Sequence, residues 1–374
     1  MSPKTVVPLL LDWFQHNARD LPWRRTRDPY AIWVSEIMLQ QTQVDTVIPF
    51  WERWMRELPN IQSLASATPR KIHKLWEGLG YYTRVRNLQK AARAILQKHH
   101  GRFPTVYEEI LDLQGIGRYT AGAICSIAFY QPRPILDGNV IRVLTRLYGI
   151  DGDPKEKSVN TRLWKLAEQF VLEAATLAKQ RKQPPSASKR STPIANRKSQ
   201  VSNLNQSLME LGALVCTPRQ PKCSLCPLVK QCLARKQNRV DLLPKIAPRP
   251  AVTQRRFVAF IVTHNGRVFV RQRPAGVVNA HLWEFPNIEV PNSDGDPKRA
   301  FGKAFGVTPL TVTRLCTLQH SITRYRIQLD VFEVSSSKGF RASNCRLLKF
   351  KDLQRLPFAS AHKKILATLD TAQQ

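Results

Sequence analysis

The spacing of apolar residues changes along the chain and predicts two kinds of structure. As far as about residue 175, apolar residues recur at helical spacing with few alternating stretches, which predicts an all-α region. Asp28 and Pro29 suit the N-cap and first position of a helix that we expect to continue to about Gln41. Further helices are predicted over residues 44–56, 69–77, 83–99, 105–113, 118–129, 138–148, 158–174 and a stretch that begins near residue 205.

Beyond a stretch marked by three prolines at residues 234–254, the pattern becomes that of β-strands. Residues 255–263 and 267–273 flank Asn265 and Gly266. Asn-Gly supplies the two positive φ angles of a type I′ turn, so these runs predict a β-hairpin. Two more strand-like runs, which complete a mixed α/β domain, follow at 311–319 and 325–335.

The charge balance points to a polyanionic partner. The 374 residues include 58 Lys and Arg against 27 Asp and Glu, a formal charge of +31 at pH 7. Lys and Arg that neutralise phosphates release counterions, so nucleic acid is the favoured partner. An anionic membrane is the alternative, but we find no apolar run of about 18 residues and no signal-peptide h-region after Met1. We therefore expect a soluble, cytoplasmic protein associated with nucleoid DNA and no membrane partner.

We expect a multidomain chain with one disordered insertion. A helical region is predicted over 1–233, a linker over 234–254 and the α/β domain over 255–374. Residues 178–200 contain seven Lys or Arg, three Pro and no acidic residue, so they cannot bury enough apolar surface to become ordered. This basic insertion is interpreted either as a non-specific DNA tether or as a tolerated solvated loop.

Four of the seven cysteines form a candidate metal-binding motif within 17 residues. In a reducing compartment such clustering favours metal ligation over disulfide formation. Four thiolates suit either tetrahedral zinc or an iron-sulfur cluster, and the single C-x2-C pair favours a 4Fe-4S cluster, although spacing alone leaves both open. The four residues are Cys216, Cys223, Cys226 and Cys232.

Two further segments place candidate chemistry at helix starts. Residues 113–122 read LQGIGRYTAG, and Gly115 and Gly117 allow a tight turn whose N–H groups can hold a DNA phosphate. This is the helix-hairpin-helix pattern, with a plain inter-helix turn as the alternative. Asp137, within LDGNV at 136–140, precedes an apolar helix and is either a plain N-cap or a carboxylate held toward DNA.

Glu36 lies inside a predicted helix that reads WVSEIMLQQTQ at 33–43. An isolated glutamate in the middle of a helix is usually solvated. Here Trp33 and Gln40 share its face at i−3 and i+4, beside an unusual run of amides. Aromatic and amide side chains are what binding a base and replacing it in the stack require. We therefore interpret Glu36 as a functional carboxylate.

Together these motifs resemble the MutY adenine DNA glycosylases, a family within the helix-hairpin-helix DNA glycosylase superfamily. The resemblance covers nearly the whole chain. It rests on LPW at 21–23, SEIMLQQTQ at 35–43, GLGYY at 78–82, the hairpin at 113–122, LDGNV at 136–140 and the cysteine-bearing segment at 205–232. It implies a monomeric, monofunctional base-excision-repair enzyme with one 4Fe-4S cluster. Such an enzyme hydrolyses the N-glycosidic bond of adenine opposite 8-oxoguanine or G in duplex DNA and leaves an abasic site.

Endonuclease III, a glycosylase and lyase for oxidised pyrimidines, shares this fold, cluster and aspartate and is the nearest alternative. In that family a lysine after the hairpin forms a Schiff base and drives strand cleavage. Tyr119 stands at the matching position here, and the MutY pattern has Tyr or Ser there, so we expect at most weak lyase activity. A DNA-damage binding module without catalysis is the non-enzymatic alternative, and the presence of both carboxylates argues against it.

The resemblance also implies residue roles. Glu36 would protonate adenine N7 while an ionised Asp137 stabilises positive charge at C1′ or acts as a transient nucleophile, with Tyr119 and Asn139 orienting these groups or water. We expect tryptophans around Glu36 to raise its pKa by desolvation. The adenine pocket would contain Arg19, Leu21, Trp23, Arg24 and Gln206. Contacts to the lesion or to DNA would come from Gln41, Thr42, Leu79, Tyr81, Gly115, Gly117, His320 and Thr323, with the ring of Tyr81 intercalating beside the oxidised base.

The C-terminal region resembles the Nudix-like domain of the same family, through VFVRQRPAGVV and through LWEFP at 282–286. A Nudix hydrolase holds Mg²⁺ with glutamates of a REUxEExGU helix, and the corresponding segment here, PKRAFGKAFGVTP, has no acidic residue. We therefore expect lesion recognition instead of pyrophosphate hydrolysis. Ile322, Thr323 and Arg324 replace the family's FSH triplet, although Thr323 keeps a hydroxyl and His320 matches a family histidine just before it. A smaller departure is a glutamine before the hairpin glycines, where many hairpins have proline.

Overall fold

The computed structural model describes residues 2–180, 200–248, 251–291, 296–335 and 345–371. Residues 181–199, which make up nearly all of the predicted basic insertion, lie outside the described residues. The chain forms two compact units. The first unit comprises Met1–Ser66 and Asn87–Pro248, and the second comprises Ala67–Arg86 and Arg249–Gln374.

Helices dominate the chain before the C-terminal sheet, which confirms the predicted all-α region. They are α1 (Pro3–Asn17), α2 (Pro29–Leu39), α3 (Val44–Glu57), α4 (Ile61–Ser66), α5 (Pro69–Leu75), α6 (Thr83–His99), α7 (Tyr107–Leu111), α8 (Arg118–Ala128), α9 (Gly138–Tyr148), α10 (Lys157–Gln180), α11 (Gln200–Leu214) and α12 (Leu233–Lys236).

Local chemistry explains where these helices begin and end. Asp28 caps α2 as predicted, with its side chain accepting a hydrogen bond from the Tyr30 N–H, and Pro29 takes the first helical position. The helix ends at Leu39, two residues earlier than predicted, because Gln41 has a φ of 59° that no α-helix continues. Three of these helices, α1, α4 and α12, were not predicted. Pro8 interrupts the helical pattern of α1, α4 is only one and a half turns long, and α12 is about one turn at the start of the predicted linker.

The core of the first unit forms where α9, α10 and α11 pack against α1. The apolar stripe of α11 includes Leu204, Leu208 and Leu211, which are at most 1% exposed and recur at helical spacing. At Gly212 the helices α11 and α9 come so close that a Cβ there would lie 2.6 Å from the Cβ of Asn139. A glycine at this crossing thus sets the position of Asn139 at the start of α9.

The second unit contains a mixed sheet of seven strands among the described residues. The strands are β1 (Thr253–His264), β2 (Arg267–Gln272), β3 (Trp283–Glu284), β4 (Asn287–Val290), β5 (Thr311–Ile322), β6 (Tyr325–Ser335) and β7 (Cys345–Lys349), and the helices are α13 (Pro297–Phe305), α14 (Phe350–Leu353) and α15 (Ser360–Thr371). The main path runs β3-β2-β1-β6-β5, with β4 paired to β1 and β7 to β2; β1 and β6 are parallel and the other pairs are antiparallel.

The hairpin that joins β1 and β2 has the predicted turn. Asn265 and Gly266 have φ angles of 48° and 69°, and His264 pairs with Arg267 across them. Both faces of the sheet are buried. Phe301 of α13 packs into the cluster on one face, and Phe358 and Ile365 pack into the cluster on the other. The predicted mixed α/β class is therefore confirmed. No helix within the described ranges is both long and apolar enough to cross a membrane.

Candidate active site

A cavity of about 170 Å³ opens in the first unit between the chain that precedes α2, α2 itself, the start of α9 and the second half of α11. A single water needs roughly 10–15 Å³ on the same measure, so this cavity can receive a much larger group. Glu36, Asp137, Asn139 and Thr42 line it. So do the residues expected to form an adenine pocket, namely Arg19, Leu21, Trp23, Arg24 and Gln206.

Glu36 is buried in the middle of α2, with 5% of its surface exposed. Its Oε2 accepts a hydrogen bond of 2.7 Å from the Tyr119 hydroxyl. Burial raises the pKa of Glu36 to about 7, and the hydrogen bond from Tyr119 opposes part of that rise. The expected desolvation is present, but Trp33 does not supply it at the cavity, since its ring packs on Phe103, and Trp23 is the tryptophan that lines the cavity.

Asp137 is both a helix cap and a cavity residue, so the two alternatives weighed for it are compatible. Its Oδ1 accepts from the Val140 N–H of α9 at 2.8 Å, and its Oδ2 accepts from Asn139 Nδ2 at 2.8 Å. Burial raises the pKa of Asp137, whereas these hydrogen bonds and the charge of Arg142 lower it. Its carboxylate therefore has partners that favour the ionised form, while Glu36 has a single phenol donor.

Asn139 and Tyr119 are themselves held in place. Asn139 Oδ1 accepts from Arg142 Nη2 at 2.8 Å, and the same nitrogen donates to the carbonyl of Gly212 at 2.7 Å. Burial raises the pKa of Tyr119 well above its ordinary value, so the phenol stays neutral and acts as a donor. Its hydroxyl also lies 3.2 Å from Met209 Sδ, another residue of the cavity wall.

Glu210 of α11 holds the arginines of the cavity and was not found by sequence reasoning. Its side chain is 1% exposed, and its two oxygens accept from Arg19 Nε at 2.9 Å and from Arg24 Nη2 at 3.0 Å. Burial would raise the pKa of Glu210, but the hydrogen bonds from both arginines outweigh it and hold that pKa at about 2. Arg24 Nε also donates to Gln206 Oε1 at 3.0 Å. The usable signal was a lone carboxylate in the apolar stretch SLMELGALV, since a buried charge requires a partner.

The predicted hairpin lies between α7 and α8. Gly115 has a φ of 85°, and a Cβ there would lie 2.7 Å from the Cβ of Asn87, so glycine is required. Gly117 caps α8 without a side chain and is exposed, which leaves the first N–H groups of that helix accessible to a phosphate. Gln41 is exposed with a φ of 59°, beside Thr42 at the cavity.

The remaining expected lesion contacts lie in the second unit. Leu79 is buried and Tyr81 is 49% exposed, both in the loop between α5 and α6. His320 is half-buried near the end of β5. Thr323 is exposed in the turn between β5 and β6, where it has a φ of 53° and its hydroxyl donates to the carbonyl of Ile322 at 2.7 Å. The structure thus groups these residues in two places, one loop and one hairpin.

The four clustered cysteines line one small cavity of the first unit together with Arg146. Arg146 is 2% exposed and its Nη1 lies 3.4 Å from Cys216 Sγ, while Cys232 Sγ lies 3.5 Å from the Arg146 carbonyl oxygen. Burial raises the pKa of Cys226 to about 12, and the charges of the neighbouring thiols add to this. Within the described ranges, no group of three or more His, Cys, Asp or Glu side chains is arranged to hold a metal ion. The convergence of four thiols on one cavity still fits a group that binds four thiolates.

Comparison with known proteins identifies relatives of both units. Residues 34–169 match the HhH-GPD superfamily of base excision DNA repair proteins, and residues 257–368 match the NUDIX domain family. The chain is 33% identical to the adenine DNA glycosylase of Rattus norvegicus, with 95% of this chain and 76% of the relative aligned. It is 36% identical to the adenine DNA glycosylase of Buchnera aphidicola subsp. Schizaphis graminum, with 75% and 74% aligned. A solved thermostable thymine-DNA glycosylase is 28% identical, with a TM-score of 0.52 over 63% of this chain and 97% of that one.

Proposed function

The chain belongs to the adenine DNA glycosylase family, and from this premise we propose that it excises adenine opposite 8-oxoguanine or guanine in duplex DNA. It is a DNA-binding, monofunctional glycosylase that hydrolyses the N-glycosyl bond of adenine. The two products are free adenine and an abasic site. One observation carries the mechanism proposed for it: a buried carboxyl group with a pKa near 7 shares a base-sized cavity with a hydrogen-bonded carboxylate.

Adenine must leave the base stack before its glycosidic bond can be reached. Extrusion costs a few kcal/mol and is easiest at a mismatch. The cavity that contains Leu21, Trp23 and Gln206 offers the flipped base two apolar walls and an amide. Glu210 fixes Arg19 and Arg24 at the edge of the cavity before the base arrives, because four charge-assisted hydrogen bonds hold the two guanidinium groups in one orientation.

Adenine is a poor leaving group at neutral pH, so protonation must assist its departure. With a pKa of about 7, Glu36 is roughly half protonated at neutral pH, as a general acid should be. Tyr119 holds Oε2 of Glu36, which leaves Oε1 to deliver the proton to adenine N7. The proton moves to N7, and the electron pair of the C1′–N9 bond leaves with the base.

Positive charge then develops at C1′, where Asp137 stabilises it as an ionised carboxylate. The hydrogen bonds from the Val140 N–H and Asn139 Nδ2 orient this carboxylate and favour its ionised form, against the rise in pKa that burial causes. Water adds to C1′ and releases a proton to solvent, and Glu36 regains one from solvent before the next cycle, which completes the hydrolysis.

Monofunctional chemistry also follows from the lining of the cavity. A lyase requires an amine that forms a Schiff base with C1′. Among the described residues that line this cavity none is a lysine, and Tyr119, at the position of the lyase lysine, is hydrogen-bonded to Glu36. Wild-type protein should release adenine from A:8-oxoguanine and A:G duplexes under single-turnover conditions and leave A:T duplexes intact. Borohydride should trap little covalent complex. Efficient trapping, or release of an oxidised pyrimidine in place of adenine, would favour endonuclease III-like chemistry.

We also propose that Cys216, Cys223, Cys226 and Cys232 hold one 4Fe-4S cluster. Four thiols that converge on one cavity and Arg146, which donates to a cysteine sulfur, support this assignment. The four cysteines would hold the loop at 216–232 together around a bound cluster, with Arg146 of α9 in contact with Cys216 Sγ; the hydrolysis itself needs no electron transfer. Protein purified without oxygen should be brown with a broad visible absorption band. Colourless protein with one equivalent of zinc would contradict the proposal.

The C-terminal region, residues 255–374, is proposed to read the lesion instead of hydrolysing a pyrophosphate. Supporting features are the exposed Thr323 turn, the neighbouring His320 and the absence of acidic residues in the segment that forms α13. Residues 1–233 would supply the catalytic region and Gly115 and Gly117 a phosphate contact, with the protein acting as a monomer. Gln41, Thr42, Leu79 and Tyr81 complete the proposed lesion contacts.

A further inference from the structure

The loop between α5 and α6, residues 76–82, presents an aromatic side chain on a backbone of fixed shape. The φ angle is 116° at Gly78, 71° at Gly80 and 48° at Tyr81. A tyrosine seldom adopts this conformation unless surrounding contacts impose it. At 49% exposure, Tyr81 is more exposed than any other Phe, Tyr or Trp side chain among the described residues. We call residues 76–82 the Tyr81 loop.

Contacts from within and just beyond the Tyr81 loop impose this shape. Arg84 Nη2 donates to the carbonyls of Leu79 and Gly80, at 3.0 and 3.2 Å. The guanidinium carbon of Arg84 lies 5.4 Å from the centroid of the Trp76 ring and 5.6 Å from that of Tyr81. Trp76 Nε1 donates to the Gly80 carbonyl at 3.1 Å. These contacts set the internal geometry of the loop but do not anchor it to the rest of its unit.

A buried carboxylate provides a polar anchor between the loop and the C-terminal chain. The Glu77 side chain is 4% exposed, and its Oε1 accepts from the backbone N–H of Phe358 at 2.9 Å. Its Oε2 accepts from Lys363 Nζ of α15 at 2.8 Å and from Lys74 Nζ of α5 at 2.9 Å. Lys74 Nζ also donates to the carbonyl of Leu356 at 3.2 Å. All these residues belong to the second unit.

We propose that Glu77 is a positioning residue through which the C-terminal chain holds the Tyr81 loop, and that the preference for 8-oxoguanine over guanine opposite adenine depends on this link. The inference rests on the proposed function, because Tyr81 matters only if it probes the base opposite adenine. Glu77 immediately precedes Gly78, the first residue of the Tyr81 loop with a positive φ, so a shift of the Glu77 carboxylate displaces the backbone where the loop changes direction. The link thus joins two parts of the chain to which lesion recognition is assigned.

Glu77→Gln tests the link with little change of shape. The amide oxygen can still accept from the Phe358 N–H, but the charge that attracts Lys363 and Lys74 is lost. Buried hydrogen bonds to a charged group are the strong ones, so the loop should open more often. We expect the ratio of single-turnover rates on A:8-oxoguanine and A:G duplexes to fall about tenfold, the change that one such bond supports. Hydrogen exchange of backbone amides in residues 78–82 should become faster.

A double-mutant cycle separates positioning from general loss of structure. In a Tyr81→Ala background, Glu77→Gln should leave the rate ratio unchanged, because the side chain that it positions is gone. Lys363→Met, at a half-exposed site that tolerates change, should shift the ratio in the same direction as Glu77→Gln. Asp330→Asn is the matched control, a buried carboxylate of the same unit whose partners Arg256 and Thr317 lie in the sheet. It should lower the melting temperature and leave the ratio unchanged.

The proposal is overturned if Glu77→Gln keeps the wild-type ratio, if its effect adds to that of Tyr81→Ala, or if Asp330→Asn lowers the ratio equally. These outcomes require active wild-type protein. Wild-type protein that releases no adenine from either duplex would instead reject the proposed function, and with it the proposed dependence of lesion preference on Glu77. Hydrogen exchange would then still decide whether Glu77 holds the loop, since it needs no substrate.

Discussion

Replacement of Tyr119 by phenylalanine removes one donor from Glu36 and leaves the ring in place. The Tyr119 hydroxyl lies 2.7 Å from Glu36 Oε2, and Glu36 is buried. Burial raises the Glu36 pKa to about 7, whereas this hydrogen bond favours the ionised carboxylate and lowers it. A hydrogen bond to a charged group is worth about 1.5–3 kcal/mol, and one pKa unit corresponds to about 1.4 kcal/mol. The pKa of Glu36 in Tyr119→Phe should therefore be higher by about one to two units.

The assay is the pH dependence of kcat/KM for adenine release, which reports the free enzyme. A general acid acts in its protonated form, so activity is present below the Glu36 pKa and is lost as the pH rises through it. In Tyr119→Phe this alkaline limb should move to higher pH by at least about one unit. Tyr148→Phe is the control, because the Tyr148 hydroxyl has no hydrogen-bond partner among the described residues. A limb that stays in place, or moves to lower pH, would refute the pairing of Tyr119 with a catalytic acid.

Three further substitutions probe other parts of the site. Asp137→Asn should lower the single-turnover rate about 10²- to 10³-fold. The free energy of unfolding should change by less than about 1 kcal/mol, because asparagine is an equally good N-cap. A large loss of stability with little loss of rate would mean that Asp137 is mainly a helix cap. Glu210→Gln should cost about 2–4 kcal/mol at neutral pH, because Arg24 loses a buried counter-ion. Ionised Glu210 stabilises the fold fully above its ordinary pKa of 4.5, and this stabilisation is lost as the pH falls toward about 2. Denaturation near pH 3 should therefore show a smaller stability difference between wild type and Glu210→Gln than at neutral pH. An equal difference at both pH values would contradict the pairing of Glu210 with the arginines. Because Gly115 has a φ of 85°, Gly115→Ala should distort the hairpin and weaken binding to undamaged duplex DNA in a fluorescence anisotropy titration. Unchanged affinity would mean that the hairpin is only a turn between two helices.

Elements whose signals are local were predictable from the sequence. The Asp28-Pro29 cap and the Asn265-Gly266 turn each act through their own backbone angles and nearest hydrogen bonds, and both have the expected geometry. Helix α1 was missed because Pro8 lies inside it. A proline in the first turns of a helix is tolerated when packing compensates, and the neighbouring Val7 is fully buried in the core.

The residues that line the cavity could be predicted only through family motifs. The buried carboxylates that hold other site residues in place could not be predicted. Family motifs named Glu36 and Asp137, but no local pattern indicates that Glu210 pairs with Arg19, which lies 191 positions away. The same holds for Glu77, which accepts a hydrogen bond from the backbone N–H of Phe358, 281 positions away in the sequence. Such pairs satisfy buried charge after the chain has folded, so their partners follow from packing and not from sequence spacing.

The assignment of Glu36 as the catalytic acid is decided by single-turnover release of adenine from an A:8-oxoguanine duplex with Glu36→Gln. Glutamine keeps the volume of the side chain and an acceptor for the Tyr119 hydroxyl but has no proton to deliver. The single-turnover rate should fall about 10²- to 10⁴-fold. The protein should remain folded, and above pH 7 it should be more stable than wild type, because a carboxyl group whose pKa is raised by burial destabilises the fold once it ionises. Release of adenine by Glu36→Gln at the wild-type rate would contradict the proposed mechanism.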